Sequence, residues 1–261
     1  QNPNAVPNTI TGYPTSGNGQ VPASTITNSG TNPYTLTYTI TPTANGCSGA
    51  TANFSLTINP APVTTFAPGN QTICSGQNTN LVTLGSSTAG VTFTWSIPGG
   101  VPAGMGNVNV TSGTSTIPAY QNLTNNTNAP LVLTIVAVAT TGGASQCAGS
   151  PSNYTITVNP VPTALATFIS NDTICSNSAL NISLSATTPN TSFTWTAVNG
   201  PNTTGGANSV NPGNTLQQTV VNSSTNFGSV LYTITPAVAG ACPGSPIQVT
   251  AYIHPVATVA A

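Results

Sequence analysis

The sequence predicts an all-β protein built from tandem β-sandwich repeats of about 100 residues each. Three observations predict this fold class. Apolar residues alternate with threonine in short runs, similar segments recur at a constant interval along the 261 residues, and clusters of glycine and proline separate the runs. Such alternation is typical of antiparallel strands that bury one face and expose the other, and no segment shows a helical period.

The alternating runs identify the strands and their buried faces. In "YTLTYTI" the apolar side chains share one face and the threonines share the other, and "NFSLTI" and "NYTITV" have the same pattern. In "VTFTW" the threonines are expected to point outward, away from the core. The expected core-facing residues are Tyr34, Leu36, Tyr38, Ile40, Phe54, Leu56, Ile58, Val91, Phe93, Trp95, Tyr154, Ile156, Val158, Leu180, Ile182 and Leu184.

The interval between matching segments defines the repeats. Trp95 and Trp195 stand about 100 residues apart in "VTFTW" and "TSFTW", and proline-rich joints, "NPAPV" and "NPVPT", follow matching strands. We therefore predict a partial repeat that lacks its first strands, residues 1–61, and two complete repeats, residues 62–161 and 162–261. Because a half-sandwich is unstable alone, we expect the chain either to continue a longer polypeptide or to receive strands from another chain.

The charge composition excludes several classes of function. The chain has no lysine or arginine, one acid, Asp172, and one histidine, His254. Nucleic acids and anionic membranes are bound mainly through lysine and arginine, so neither is an expected partner. Because acid–base catalysis needs a group of titratable side chains, we predict no enzyme activity, no catalytic residue and no cofactor. The sequence contains no apolar run of about 18 residues, so we predict no membrane-spanning helix.

Five cysteines occupy fixed positions in the repeats. Cys74 and Cys175 lie in "TICS", and Cys47, Cys147 and Cys242 lie in glycine-rich loops. Pairing Cys74 with Cys147, and Cys175 with Cys242, is preferred because each complete repeat then closes its own loop; Cys47 is left unpaired or bonded outside the chain. The alternative pairs Cys47 with Cys74 and Cys147 with Cys175, which would link neighbouring repeats covalently. Either pattern indicates an oxidising, extracellular setting, and the spacing does not suit zinc.

Other conspicuous residues have ordinary structural interpretations. His254 and Asp172 replace Asn159 and Gln71 of the preceding repeat, at a strand end and at a turn, so we interpret them as tolerated polar substitutions. Each of the two tryptophans alternates with a phenylalanine, which favours a core position over a platform for stacking on sugars.

The run "ICSG … TFTW … YTITPTANGC … TVNPVP" resembles the PKD-like, immunoglobulin-like repeats of very large surface proteins in Bacteroidota. Those proteins include gliding-motility adhesins and other proteins secreted by the type IX system. The resemblance spans nearly the whole chain and implies immunoglobulin-like β-sandwiches at the cell surface or in the extracellular space. Two departures stand out: Trp95 follows Cys74 by more than the dozen or so residues usual in immunoglobulin domains, and the acidic residues that bind calcium in some related modules are missing. We therefore predict no metal site.

The expected function is structural. We expect a segment of an extracellular filament or adhesin stalk whose partners are copies of itself or further repeats of the same polypeptide. The alternative is an adhesive module that binds glycans or surfaces through its Gly- and Asn-rich loops. Near-zero net charge favours self-association in the first case.

Overall fold

A computed structural model describes residues 6–142, 146–169, 171–238 and 242–256. Within these ranges all regular secondary structure is β-strand, arranged along the chain in three successive blocks. The predicted all-β fold of tandem immunoglobulin-like sandwiches is confirmed. The described residues contain no helix long and apolar enough to cross a membrane. The ends of the predicted first and last repeats, 1–5 and 257–261, lie outside the described residues.

The first block consists of three separate antiparallel pairs, in which the first strand pairs with the second, the third with the sixth, and the fourth with the fifth. Its strands are β1 (Ile10–Thr11), β2 (Thr27–Asn28), β3 (Tyr34–Ile40), β4 (Thr43–Ala44), β5 (Cys47–Ser48) and β6 (Ala52–Ile58). Strands β3 and β6 form a hairpin with β4 and β5 at its tip.

The core prediction is only partly right in the first block. Leu36 is buried, but Ile40 is 49% exposed, Phe54 51% and Leu56 37%. Their alternation with threonine is present, yet these three side chains are left uncovered. The pattern predicts which side chains share a face, and it does not by itself predict whether that face is covered.

The second block contains ten strands, eight in two main sheets and two in a separate pair. They are β7 (Thr65–Ala67), β8 (Gln71–Cys74), β9 (Val82–Gly85), β10 (Val91–Ser96), β11 (Met105–Gly106), β12 (Ser112–Thr114), β13 (Thr116–Ile117), β14 (Thr124–Asn125), β15 (Leu131–Thr141) and β16 (Ser152–Asn159). One sheet has the order β12-β10-β15-β16-β8, the other has the order β13-β9-β7, and β11 and β14 form the separate pair. Trp95, Tyr120 and Tyr154 are among the buried side chains of the core of this block.

The third block repeats the arrangement with two four-stranded sheets. Its strands are β17 (Ala164–Phe168), β18 (Thr173–Cys175), β19 (Ser178–Ala186), β20 (Thr191–Asn199), β21 (Thr203–Thr204), β22 (Thr215–Asn222), β23 (Gly228–Val238) and β24 (Ile247–His254). The sheet orders are β17-β19-β22-β21 and β18-β24-β23-β20. Leu180, Ile182 and Leu184 are buried here, as their alternation predicts.

Candidate functional site

The Ile-Cys-Ser sequence within "TICS" lies at the same end of each complete block. This is the end from which the chain leaves the block, and we call it the outgoing end. Strand β8 runs parallel to β16, the last strand of the second block, with Cys74 opposite Asn159. Strand β18 runs parallel to β24 in the third block, with Cys175 opposite His254. Because β16 and β24 lead out of their blocks, each Ile-Cys-Ser cysteine lies at the end from which the chain leaves.

Cys147 and Cys242, the cysteines of the glycine-rich loops, lie at the opposite end of each complete block. The chain enters the block there, and we call it the incoming end. Strands β15 and β16 form a hairpin whose tip carries Cys147, and the tip between β23 and β24 carries Cys242. A Cβ atom on Gly149 would overlap the carbonyl oxygen of Pro62, and one on Gly244 would overlap that of Pro162. Only glycine lets each tip pack this closely on the proline joint that leads into its own block.

These two placements bring cysteines of neighbouring blocks together across the joint. Cys74, at the outgoing end of the second block, is disulfide-bonded to Cys242, in the incoming tip of the third. The S–S distance is 2.01 Å, the Cα atoms are 5.6 Å apart, and the two residues are 168 positions apart in sequence. Cys242 is fully buried in this junction. The disulfide therefore fastens one block to the next.

The preferred pairing of Cys74 with Cys147 and of Cys175 with Cys242 is wrong in this structure. Cys74 and Cys147 lie at opposite ends of the second block, separated by the eight residues of β16, or about 25 Å. A disulfide needs Cα atoms within about 7 Å. The alternative of Cys47 with Cys74 fails for the same reason, because Cys47 lies in the incoming tip of the first block. The bond does join neighbouring blocks, as that alternative supposed, but the partner of Cys74 is Cys242 and not Cys47.

The serine of the Ile-Cys-Ser step fixes this end of the block to a buried asparagine. Ser75 Oγ accepts a hydrogen bond from the backbone N–H of Asn125 at 2.8 Å and donates to its carbonyl oxygen at 3.3 Å. Ser176 Oγ makes the same two bonds with Asn222, at 2.9 Å and 3.2 Å. In the second block, Ile73 packs against the core, Cys74 links the block to the next one, and Ser75 attaches a loop.

The asparagine amide completes this network. Asn222 Nδ2 donates to the carbonyl oxygens of Ile253 at 2.9 Å and Asn226 at 2.7 Å, while Oδ1 accepts from the backbone N–H of Ser224 at 2.9 Å. Asn222 is only 3% exposed, so these bonds satisfy carbonyl groups at a strand end that has little access to water.

The same arrangement occurs in all three blocks. Asn125 Nδ2 donates to the carbonyl oxygens of Val158 and Ala129, and Asn28 Nδ2 donates to that of Ile58. The sequence analysis missed these residues. The available signal was their even spacing along the chain, which abundant asparagine elsewhere obscured.

Three tyrosines are fully buried in the cores of the complete blocks: Tyr120 and Tyr154 in the second and Tyr232 in the third. Burial raises the pKa of Tyr120 and of Tyr232 to about 12. Tyr120 Oη donates to the carbonyl oxygen of Val110 at 2.7 Å. Burial also raises the pKa of Tyr154, and a hydrogen bond from Gln71 Nε2 to its hydroxyl oxygen, 2.6 Å long, acts in the opposite direction.

The residues considered for catalysis occupy structural positions. Asp172 is exposed at a bend before β18, where its Oδ1 accepts a hydrogen bond from Thr173 Oγ1 at 3.2 Å. The His254 ring packs against Phe227 with ring centroids 4.4 Å apart. Opposite positions on neighbouring strands bring His254 and Cys175 together, which the sequence analysis did not foresee. The described ranges contain no group of three or more His, Cys, Asp or Glu side chains that could hold a metal ion.

The tryptophans lie at or beside the cores. Trp95 is 3% exposed, and its Nε1 donates to the carbonyl oxygen of Thr116 at 2.8 Å. Trp195 is partly buried and packs against the core of the third block. Burial of Trp95 leaves its ring no free face for stacking on a sugar.

A family model described as "PKD-like domain" matches residues 2–62, 71–162 and 172–257 of the chain. No curated protein matches the chain.

Several solved structures are similar at low identity. Drosophila OTK extracellular domains 3–5 are 12% identical, with 85% of this chain and 71% of that chain covered and a TM-score of 0.39. The amphioxus IgVJ-C2 molecule is 17% identical, with 70% and 99% covered and a TM-score of 0.33. Human CDH23 EC21-23 is 14% identical, with 84% and 73% covered and a TM-score of 0.34.

Proposed function

The chain belongs to the PKD-like domain family, and from that premise we propose that it is a structural segment of an extracellular filament or adhesin stalk. Domains of this class are typically non-catalytic modules of extracellular structure or adhesion. The observation that carries the proposal is the disulfide between Cys74 and Cys242. A covalent bond beside a proline joint restricts bending between blocks and keeps them in series under tension.

The composition supports the same role. With no lysine or arginine and a net charge of −1, copies of the chain would meet almost no electrostatic repulsion when packed side by side. The lack of lysine and arginine also removes every cleavage site for trypsin-like proteases. On the resemblance of the motifs we propose a parent among large secreted surface proteins of Bacteroidota, exported by the type IX system, with repeats at 1–61, 62–161 and 162–261.

Single-molecule stretching tests this proposal. When the chain is pulled from its two ends, the closed loop of 168 residues cannot extend while the disulfide is intact. Reduction should release about 550–600 Å of additional length, at 3.3–3.6 Å per residue. A Cys242→Ser variant should behave like the reduced chain without added reductant. Equal extension before and after reduction would contradict a disulfide-reinforced stalk.

The second candidate is a glycan-binding module, and one feature of the first block favours it. A cleft of about 460 Å³ lies between the segment 14–22 and the end of β3. The hydroxyl of Tyr38 is buried beside it with no hydrogen-bond partner among the described residues. Saturable binding on a glycan array, lost in Tyr38→Phe, would establish this function. An array without binding leaves the structural role as the better account.

A further inference from the structure

Cys47 and Cys175 are exposed and carry free thiols. Cys47 lies in the incoming tip of the first block, and Cys175 lies at the outgoing end of the third. Their counterparts at the inner junction, Cys242 and Cys74, are bonded to each other. We propose that Cys175 of one copy and Cys47 of a second copy form this same disulfide, which joins copies of the chain head to tail.

The surroundings of Cys175 match those of Cys74. The N–H of Ser176 donates to the carbonyl oxygen of His254 at 3.1 Å, as the N–H of Ser75 donates to that of Asn159 at 2.8 Å. The serine–asparagine bonds described above are also the same at both sites. Cys175 is therefore held at the block end as Cys74 is, and it differs in being exposed, whereas Cys74 is half-buried.

The hairpin tip that carries Cys47 matches the tip that carries Cys242. The N–H of Gly49 donates to the carbonyl oxygen of Pro42 at 2.8 Å, and the N–H of Gly244 donates to that of Pro236 at 2.8 Å. Cys242 is fully buried beneath the preceding block, whereas Cys47 is exposed. The tip of the first block thus offers the half of the junction that Cys175 lacks.

The two ends are different and complementary, so their association is heterologous. Heterologous contacts that do not close into a ring extend into a fibre. The near absence of charge means that no electrostatic repulsion opposes end-to-end contact. Contacts between like ends, Cys175 with Cys175 or Cys47 with Cys47, have no counterpart at the inner junction. The inference rests on the proposed function, because it extends the stalk from one chain to many.

The bond forms by thiol–disulfide exchange with a small-molecule disulfide such as oxidised glutathione. The Cys175 thiolate attacks this disulfide, which breaks its S–S bond and releases one glutathione thiol. The Cys47 thiolate of the second copy then attacks the mixed disulfide at Cys175 and releases the second glutathione thiol. The two cysteines lose two protons and two electrons, and the two electrons reduce the glutathione disulfide.

A complementation experiment with single-cysteine variants tests this head-to-tail bond. Cys47→Ser and Cys175→Ser are each incubated in oxidised glutathione, alone and mixed, and separated by mass without reductant. Each variant alone should stay monomeric, because it keeps only one of the two complementary ends. The mixture should give a heterodimer, and the unmodified chain should give a ladder of oligomers. Cys147→Ser is the matched control and should give the same ladder as the unmodified chain.

The linked peptides decide the outcome. A peptide joining Cys175 to Cys47, recovered after digestion with a protease that cleaves beside aromatic residues, supports the proposal. Dimers of Cys47→Ser alone, which would join Cys175 to Cys175, would overturn it, and so would a mixture that stays monomeric while both variants keep the native tryptophan fluorescence. Stretching of a single chain is unaffected by these outcomes, so the stalk proposal and the head-to-tail bond can fail separately.

Discussion

Raising the pH from about 9 to about 12 should reduce the free energy of unfolding of both complete blocks, by about 2 kcal/mol for each of Tyr120 and Tyr232. Tyr120 in the second block and Tyr232 in the third are fully buried, and burial raises the pKa of each to about 12. In the unfolded chain a tyrosine ionises near pH 10. Between these values the unfolded state loses a proton that the folded state retains.

The sign of the effect follows from this difference. The stabilisation is fully present below about pH 10 and is lost as the pH rises through the folded pKa near 12. Denaturant unfolding followed by tryptophan fluorescence measures it, because each complete block contains one tryptophan. Tyr252→Phe changes an exposed tyrosine of the third block, and the alkaline loss should persist in it. A stability that is the same at pH 9 and pH 12 would show that these tyrosines ionise freely in the folded protein.

Replacing Asn222 with alanine should destabilise the third block by about 3 kcal/mol. The substitution removes both amide hydrogen bonds, to Ile253 and Asn226, and leaves a carbonyl at the end of β24 without its donor. An unsatisfied buried group costs about 1–3 kcal/mol, in addition to the lost bonds. The midpoint of urea unfolding, followed through Trp195, measures the loss.

Two further variants separate hydrogen bonding from side-chain size. Asn226 lies in the same loop, and its side chain is exposed. Asn226→Ala should therefore change the free energy of unfolding by less than about 0.5 kcal/mol. Asn222→Asp keeps the size of the side chain, but a carboxylate cannot donate to the two carbonyl oxygens, so this variant should be at least as unstable as the alanine variant. An aspartate variant of native stability would show that the amide bonds contribute little.

The fold was predictable because its main signals are local. Alternation of apolar residues with threonine in segments such as β3 and β16 predicts strands and their buried faces. The constant interval between Trp95 and Trp195 predicts tandem repeats. These signals depend on neighbouring residues or on self-similarity, and neither requires knowledge of how the strands pair.

The disulfide could not be predicted because it depends on strand direction. The repeat interval shows that Cys74 is equivalent to Cys175, and Cys147 to Cys242, without showing that the two sets lie at opposite ends of a block. That separation follows from the parallel pairing of β8 with β16 and from the hairpin of β15 and β16. Exposure of Phe54 was missed for a similar reason, since alternation does not reveal whether an apolar side chain is covered.

The measurement that tests the central claim most directly is disulfide mapping of the oxidised chain, digested without reductant and with its free thiols blocked. The structure predicts a linked pair of peptides that contain Cys74 and Cys242. Linked peptides that join Cys74 to Cys147, and Cys175 to Cys242, would instead show that each block closes on itself, and would contradict the covalent junction on which the proposed stalk depends.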